Sequence, residues 1–252
     1  IIFINAMQQH VYAPRLSSSP SHDAEDDLQQ QEGGQKKVPT TVVSRSVSME
    51  IVREIGRIIK NFALHEESKR TLGELGISDL LVHAIDEFIG NPETIAILCG
   101  AILNLSANNL ENKIKFGKSG ICEKLIQIII IYLSNEEVLK QSCGAIKNIS
   151  VYDYNKLLFH DCGGCNALIA AMTTHLYNKE LFRDICEAIW NISVIKENQV
   201  AIGEIGGCEI ILEAVSVYFI ASSNKQKNKA IGATTSSTSS IAASTSAPSV
   251  AG

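Results

Sequence analysis

The feature that most constrains this chain is a segment that recurs at a nearly constant interval. Each copy contains one asparagine, and consecutive asparagines lie 43, 44 and 43 residues apart. A glycine follows each asparagine at a similar distance. An interval of this size is typical of structural units that stack on their neighbours rather than close around one core. The asparagines are Asn61, Asn104, Asn148 and Asn191, and the glycines are Gly76, Gly120, Gly164 and Gly207.

Apolar residues inside each copy follow helical spacing. Ile97, Ala101 and Leu105 are separated by four residues each, which places them on one face of a helix. Proline is nearly absent from the copies, and no alternation of apolar and polar residues persists. Each unit is therefore predicted to contain a long helix ending near the asparagine, a short helix, a glycine break and a further helix of about three turns. The chain is predicted to be all-α.

Two motifs recur with the same period. The long helix ends in CGAILNLS, CGAIKNIS and CEAIWNIS, and a run beginning with asparagine and then lysine or glutamine follows it. Period, helix order and motifs together resemble the armadillo repeat over most of residues 51–218. The resemblance implies a right-handed superhelical solenoid of about four registered units of three helices, with the first and last units incomplete. HEAT repeats are the alternative, although they usually have two helices and lack this asparagine.

Composition changes along the chain predict four segments. Residues 1–12 share an alanine, methionine and histidine pattern with residues 168–176, so they are predicted to be the last helix of a truncated preceding repeat. Residues 13–47 are rich in serine, glutamine and acidic residues and are predicted to be a disordered insertion. The armadillo repeat array is predicted to span residues 48–221. Residues 222–252 are rich in serine, threonine and alanine and are predicted to be a disordered tail.

Composition also limits the partners and the location of the chain. The net charge is −5, so no nucleic-acid partner is expected. No apolar run approaches the roughly 20 residues that a membrane-spanning helix needs, so no membrane span is predicted. Six cysteines fall in two columns, which are positions that recur once per repeat, and small buried side chains there predict free thiols in a reducing intracellular location, cytoplasmic, nuclear or both. The columns hold Cys99, Cys143 and Cys186, and Cys122, Cys165 and Cys208.

Cys162 and Cys165 have the spacing of a thiol motif. A zinc site would need two further ligands, of which His160 could supply one, and an oxidoreductase would normally need a βαβ setting. The alternative is that the two intervening glycines form a turn and that Cys165 is a core residue. Catalytic sites need unlike residues that converge on one cleft, whereas these motifs recur once per repeat. The chain is therefore predicted not to be an enzyme and to hold no cofactor or metal.

The repeated asparagines are the strongest candidates for a binding site. In armadillo proteins the long third helices line a concave groove, and an asparagine there hydrogen-bonds the backbone of an extended peptide. The resemblance assigns this role to Asn61, Asn104, Asn148 and Asn191. An amide side chain both donates and accepts hydrogen bonds, so it can bind a main chain whatever its sequence. The alternative is that the asparagine braces the stack by bonding a neighbouring carbonyl.

Charged residues of both signs surround these asparagines. Importin-type grooves carry tryptophan four residues before the asparagine, where this chain has residues that include Arg57 and Glu187, so binding of nuclear-import signals in that mode is not expected. Lys140 and Arg183 lie eight residues before their asparagines. A mixed surface predicts no simple charge preference. A further column, eleven residues before each asparagine, either attracts a basic ligand or faces a helix dipole: Glu50, Glu93, Glu137 and Glu180.

The predicted function is that of a non-catalytic scaffold or adaptor. It would bind an extended or helical segment of a protein or peptide partner in the groove, through Asn61, Asn104, Asn148, Asn191, Arg57, Lys140, Arg183 and Glu187. The alternatives are an architectural segment of a larger assembly and a scaffold associated with nucleic acid or membrane. The oligomeric state stays open.

Overall fold

The computed structural model describes residues 45–220, which are helical throughout apart from connecting turns and contain no β-strand. The prediction of an all-α chain is therefore confirmed for these residues. The helices are α1 Arg45–Phe62, α2 Glu66–Glu74, α3 Ile77–Phe88, α4 Pro92–Ser106, α5 Leu110–Lys118, α6 Ile121–Ile131, α7 Glu136–Ile149, α8 Asp153–Asp161, α9 Gly164–Thr174, α10 Lys179–Ile192 and α11 Lys196–Glu204. A final helix, α12, spans residues 207–220.

The helices recur in groups of three that match the period of the sequence. We number the groups repeat 1 (α1–α3), repeat 2 (α4–α6), repeat 3 (α7–α9) and repeat 4 (α10–α12). Each begins with a long helix of 14 to 18 residues and continues with a short helix of 9 residues. A glycine with φ between 78° and 87° then precedes the third helix, a backbone region that favours glycine. These glycines are Gly76, Gly120, Gly163 and Gly206, one residue earlier than predicted in the last two repeats.

Asparagine side chains set where three of the long helices begin. Asn91 precedes α4, and its side-chain oxygen accepts a hydrogen bond of 2.8 Å from the backbone N–H of Thr94. Asn135 and Asn178 make the same contact before α7 and α10. Each contact satisfies a backbone donor that has no partner within the helix.

The predicted segment boundaries can be compared with the structure only in part. Helix α1 begins at Arg45, three residues inside the insertion predicted for residues 13–47. The predicted array, residues 48–221, is helical as far as residue 220. The predicted helix at residues 1–12, the rest of the insertion and the tail at residues 222–252 lie outside the described residues.

Equivalent helices of consecutive repeats pack on one another. The chain divides into two compact parts, one ending at Ala201 and the other starting at Ile202. In the first part α1 packs on α4, α4 on α7, and α7 on α10. The short and third helices repeat the arrangement, since α2 contacts α5, α5 contacts α8, α3 contacts α6, and α6 contacts α9. The core between the long helices includes Val52, Leu98 and Ile185, and burying one such side chain stabilises the fold by roughly 1.5–3 kcal/mol.

A row of buried asparagines on the short helices joins consecutive repeats. The Nδ2 atom of Asn155 donates to the carbonyl of Ile149, at the end of the long helix of its own repeat, over 3.0 Å. It also donates to the carbonyl of Lys113, on the short helix of the preceding repeat, over 2.9 Å. Asn112 and Asn198 make the same pair of bonds one repeat earlier and one repeat later. We call this row, Asn112, Asn155 and Asn198, the amide ladder.

The oxygens of Asn112 and Asn155 need an open position in the preceding repeat, whereas the oxygen of Asn198 has a side-chain neighbour there. A methyl group on Gly117 would lie 1.9 Å from the Oδ1 atom of Asn155, and one on Gly73 would lie 1.8 Å from that of Asn112. In repeat 3 the equivalent residue is His160, whose Nδ1 lies 3.0 Å from Oδ1 of Asn198.

The effect of a substitution in this glycine column on stability should therefore depend on whether a ladder asparagine of the next repeat packs against the glycine. We expect Gly117→Ala to lower the free energy of unfolding by about 2–4 kcal/mol, because its methyl overlaps Asn155. Gly203 is in the same column, and no atom of residues 45–220 lies within 4 Å of the position its Cβ would take. Gly203→Ala should thus be neutral or stabilise by up to about 1 kcal/mol, since alanine favours helix. Urea denaturation of both variants measures the difference, and equal effects would contradict this interpretation.

Three buried lysines lie beside the amide ladder, and they differ in their partners. The Nζ atom of Lys69 donates to Glu66 and to the carbonyl of Ala107, each over 2.7 Å. Lys156 is paired in the same way with the carboxylate of Asp153, three residues before it. Lys113 has leucine at that position and has no ion pair or hydrogen bond through its side chain within residues 45–220. Burial, and then the positive charge of Lys69, lower the pKa of Lys113.

The unpaired lysine should destabilise the fold. Because its folded-state pKa is lowered, charged Lys113 carries a cost that is full at neutral pH and fades as the pH rises toward the ordinary lysine pKa of about 10.4. Lys113→Met should raise the free energy of unfolding at pH 7 by about 0.5–1 kcal/mol. The matched variant Lys69→Met should lower it by about 1–3 kcal/mol, because the half-buried carbonyl of Ala107 loses its donor and Glu66 loses its partner. Denaturation at pH 7 and pH 10 tests both, and a destabilised Lys113→Met protein would show that the lysine has a stabilising partner.

Candidate protein-binding face

The asparagines at the ends of the long helices form a second row of hydrogen bonds. The Nδ2 atom of Asn104 donates to the carbonyl of Lys60 over 2.8 Å, and that of Asn191 donates to the carbonyl of Lys147 over 2.7 Å. Asn148 donates to the carbonyl of Leu103 over 2.9 Å. Each acceptor is the residue just before the asparagine of the preceding repeat. The bracing contact, one of the two predicted roles, is therefore present in all three.

Part of each amide remains available for a ligand. The side chains of Asn104, Asn148 and Asn191 are half-buried, and their Oδ1 atoms accept no hydrogen bond from residues 45–220. Each Nδ2 uses one of its two hydrogens on the neighbouring helix. Asn61 is exposed and makes no side-chain hydrogen bond within the described residues. The row thus offers one carbonyl oxygen and one N–H per repeat, and a complete amide at Asn61.

The charged residues predicted for the same surface are mostly paired with each other. Arg57 is paired with Glu54 and, over 3.0 Å, with Glu93 of the next repeat. Glu187 accepts a hydrogen bond of 2.7 Å from Nζ of Lys147 in the preceding repeat. The Arg57–Glu93 and Lys147–Glu187 contacts cross from one repeat to the next, so they contribute to the stacking.

The remaining two predicted charges are more accessible. Arg183 contacts the carboxylate of its neighbour Asp184 over 3.4 Å and is exposed. Lys140 is exposed and has no ion pair within residues 45–220. Together with the asparagines, Arg57 and Glu187, these side chains define what we call the long-helix face: Arg57, Asn61, Asn104, Lys140, Asn148, Arg183, Glu187 and Asn191.

A cavity of about 420 Å³ opens beside the first part of this face. Its size is near the lower end of the range typical of ligand sites. Arg57 and Lys60 provide positive charge there, whereas Glu93 and Glu137 provide negative charge. Apolar contact comes from Ile97. The lining therefore combines charges of both signs with an apolar side chain, and it does not favour one sign of charge.

The repeated glutamates occupy two kinds of position. Glu93, Glu137 and Glu180 lie in the first turns of α4, α7 and α10, where a negative charge is stabilised by the helix dipole. Glu50 lies in the sixth position of α1, so the first-turn interpretation is wrong for this residue.

The thiols do not form a metal-binding cluster in the described part of the chain. All seven cysteines are free, and no group of three histidine, cysteine or acidic side chains within residues 45–220 could hold a metal ion. Burial raises the pKa of Cys162 to about 11, so little reactive thiolate is present at neutral pH. Cys165 is buried, and its Sγ donates to Oδ1 of Asn198 over 3.1 Å. Cys186 is only half-buried and Cys208 is exposed, which differs from the buried columns predicted.

The amide ladder is the set of important residues that the sequence prediction misses. Its signal is visible, because an asparagine follows the long helices of repeats 2, 3 and 4 and recurs with the same period as the predicted binding asparagines. The period does not distinguish a buried amide from an accessible one, since both kinds recur once per repeat.

Comparison with known proteins gives no relative: no protein-family model matches the chain, and no curated protein matches it. Among the helices at residues 45–220, none combines the length and the apolar character required to cross a lipid bilayer.

The two rows of asparagines should differ in their effect on stability. Asn155→Ala removes two hydrogen bonds from fully buried carbonyls, so we expect it to lower the free energy of unfolding by about 2–4 kcal/mol. Asn148→Ala removes one bond at a half-buried position, and we expect a loss of about 0.5–1.5 kcal/mol. Urea denaturation followed by circular dichroism compares them. An Asn148→Ala loss as large as that of Asn155→Ala would mean that the long-helix row is chiefly structural.

Proposed function

We propose that this chain is an armadillo-type solenoid that acts as a non-catalytic scaffold, binding an extended or helical segment of a protein partner along the long-helix face. The observation that carries the proposal is the row of partly accessible asparagine amides, which supplies one per repeat on neighbouring long helices. The grouping of helices in threes supports armadillo rather than HEAT repeats, which usually have two helices each.

The unused atoms of these amides suit recognition of a polypeptide main chain. A peptide group presents one donor and one acceptor, and each asparagine still offers one of both to a ligand. The bracing bonds also limit the rotation of the side chains. Less conformational entropy is then lost on binding, which favours affinity. Because each repeat contributes only a few contacts, affinity should depend on several repeats together.

The charge distribution of the long-helix face affects which partner segments it would bind. Arg57 and Glu187 are already paired within the stack, so a ligand that needs them must compete with these contacts. Lys140 is unpaired within the described residues, and it is the position where a carboxylate of the partner would gain most. We therefore expect a partner segment with mixed charge rather than a strongly basic or acidic one.

Site-specific photo-crosslinking tests this function. Benzoylphenylalanine is placed at Lys140 on the long-helix face, or at the exposed control position Lys118 on a short helix. Extracts from cells that express the chain are irradiated, and the crosslinked proteins are identified by mass spectrometry. We expect a defined protein partner from position 140 and none enriched from position 118. Equal labelling at both positions would contradict binding at this face.

Asn61 gives a variant that separates binding from bracing. Since its amide has no hydrogen bond within residues 45–220, Asn61→Ala should leave the free energy of unfolding unchanged to within about 0.5 kcal/mol. The same variant should reduce crosslinking of the partner at position 140 at least threefold. Unchanged crosslinking would remove this asparagine from the binding site.

A further inference from the structure

Helix α12 exposes positions that are buried in the equivalent helices of repeats 2 and 3. Leu212 is 68% exposed, whereas Ile126 and Ile169, which lie two repeats and one repeat earlier, are 2% and 7% exposed. Val215 is 60% exposed, whereas Ile129 and Met172 are at most 4% exposed. The exposed Cys208 and Ile211 likewise correspond to residues that are buried in both earlier helices. These four positions of α12 recur at helical spacing and therefore form one apolar stripe.

The structure shows what covers this stripe in the earlier repeats. Helix α6 packs against α7, α8 and α9, which are the three helices of the following repeat. In repeat 3, Cys165 occupies the position equivalent to Cys208, and its Sγ donates to Oδ1 of Asn198 on the next short helix. The same Oδ1 atom contacts His160, which occupies the position equivalent to Gly203. One ladder asparagine therefore contacts both columns at once.

Gly203 provides the second half of the same surface. A methyl group at the equivalent residue Gly117 would overlap Asn155, whereas in the described part of the chain nothing lies within 4 Å of the position of a Cβ on Gly203. The position that receives an asparagine oxygen in earlier repeats is open here. We call this surface the terminal face: Gly203, Cys208, Ile211, Leu212 and Val215.

The charges around the terminal face limit its partner. Residues 202–220 contain Glu204, Glu209 and Glu213 and no lysine or arginine. Two copies of this face would bring like charges together, which disfavours a symmetric dimer through it. A basic partner surface would instead be attracted.

We propose that the terminal face docks a helical repeat unit carried by a second protein. That unit presents an apolar long helix and a short helix with a buried asparagine, and it carries lysine or arginine at its edges. Its asparagine oxygen seats over Gly203 and accepts from the thiol of Cys208, as Asn198 accepts from Cys165. This docking site is separate from the long-helix face, and it does not depend on the function proposed for that face.

A peptide from the chain itself is the appropriate probe. Residues 136–161 contain α7 and α8, which cover the equivalent face of repeat 2, and they include Asn155. The probe is labelled with fluorescein. It carries Cys143→Ser, which removes its thiol, and Glu136→Lys with Glu137→Lys, which supply the positive charge that the proposal requires. Its binding to the full chain is measured by fluorescence anisotropy. The rate at which a thiol reagent modifies Cys208 is measured with and without the peptide.

We expect saturable binding and at least a tenfold slower modification of Cys208 at saturating peptide. Gly203→Ala should weaken binding at least tenfold without lowering the unfolding midpoint, because it adds only the methyl that would overlap the asparagine. Leu212→Ser combined with Val215→Ser should weaken binding similarly, and so should Asn155→Ala in the peptide. The matched control is Val151→Ser in the full chain, at a residue that is 55% exposed and lies outside the terminal face. It should leave binding unchanged.

Three outcomes would overturn the proposal. The first is the absence of saturable binding. The second is equal affinity of wild type and Gly203→Ala, which would show that no asparagine seats over this glycine. The third is dimerisation of the chain alone, seen by sedimentation velocity together with protection of Cys208, which would show that a second copy covers the face.

Discussion

One buried amide at each junction between consecutive repeats holds those repeats in register. The last carbonyls of a helix have no partner within it, and at the ends of the long helices here they lie in the interior. Asn155 donates to one such carbonyl in its own repeat, that of Ile149, and to the carbonyl of Lys113 within the preceding short helix. Removing the amide would take one donor from each of these two buried acceptors. Apolar burial would stabilise many arrangements of these helices, whereas the amide specifies which residues face each other.

The same amide explains which residues face it on the short helix of the preceding repeat. Gly73 and Gly117 leave room for an asparagine oxygen. At the equivalent position of repeat 3, His160 places a ring nitrogen next to the oxygen of Asn198. Both solutions keep the neighbouring short helices in the same register. Gly203 retains the open position, and no atom of residues 45–220 lies within 4 Å of where its Cβ would be.

Much of the fold can be predicted from the sequence, because helix ends depend on neighbouring residues. The bounds of Ile77–Phe88 follow from apolar spacing and the glycine before it. The role of Asn104 cannot be decided in the same way, since its acceptor, Lys60, is 44 residues away and only packing brings the two together. The burial of Cys208 is mispredicted for the same reason: a column is buried only where a following repeat covers it. The candidate site is therefore the least predictable part, because it consists of what packing leaves uncovered.

Bracing and binding are compatible roles for the long-helix asparagines, because one N–H serves the stack while the oxygen stays available. Both roles require that amides set the spacing between repeats. A double-mutant cycle on Gly117 and Asn155 measures this coupling most directly. Our account predicts that Gly117→Ala costs about 2–4 kcal/mol in the wild type and less than about 0.5 kcal/mol in the Asn155→Ala background, where the overlap is gone. Equal costs in the two backgrounds would contradict it.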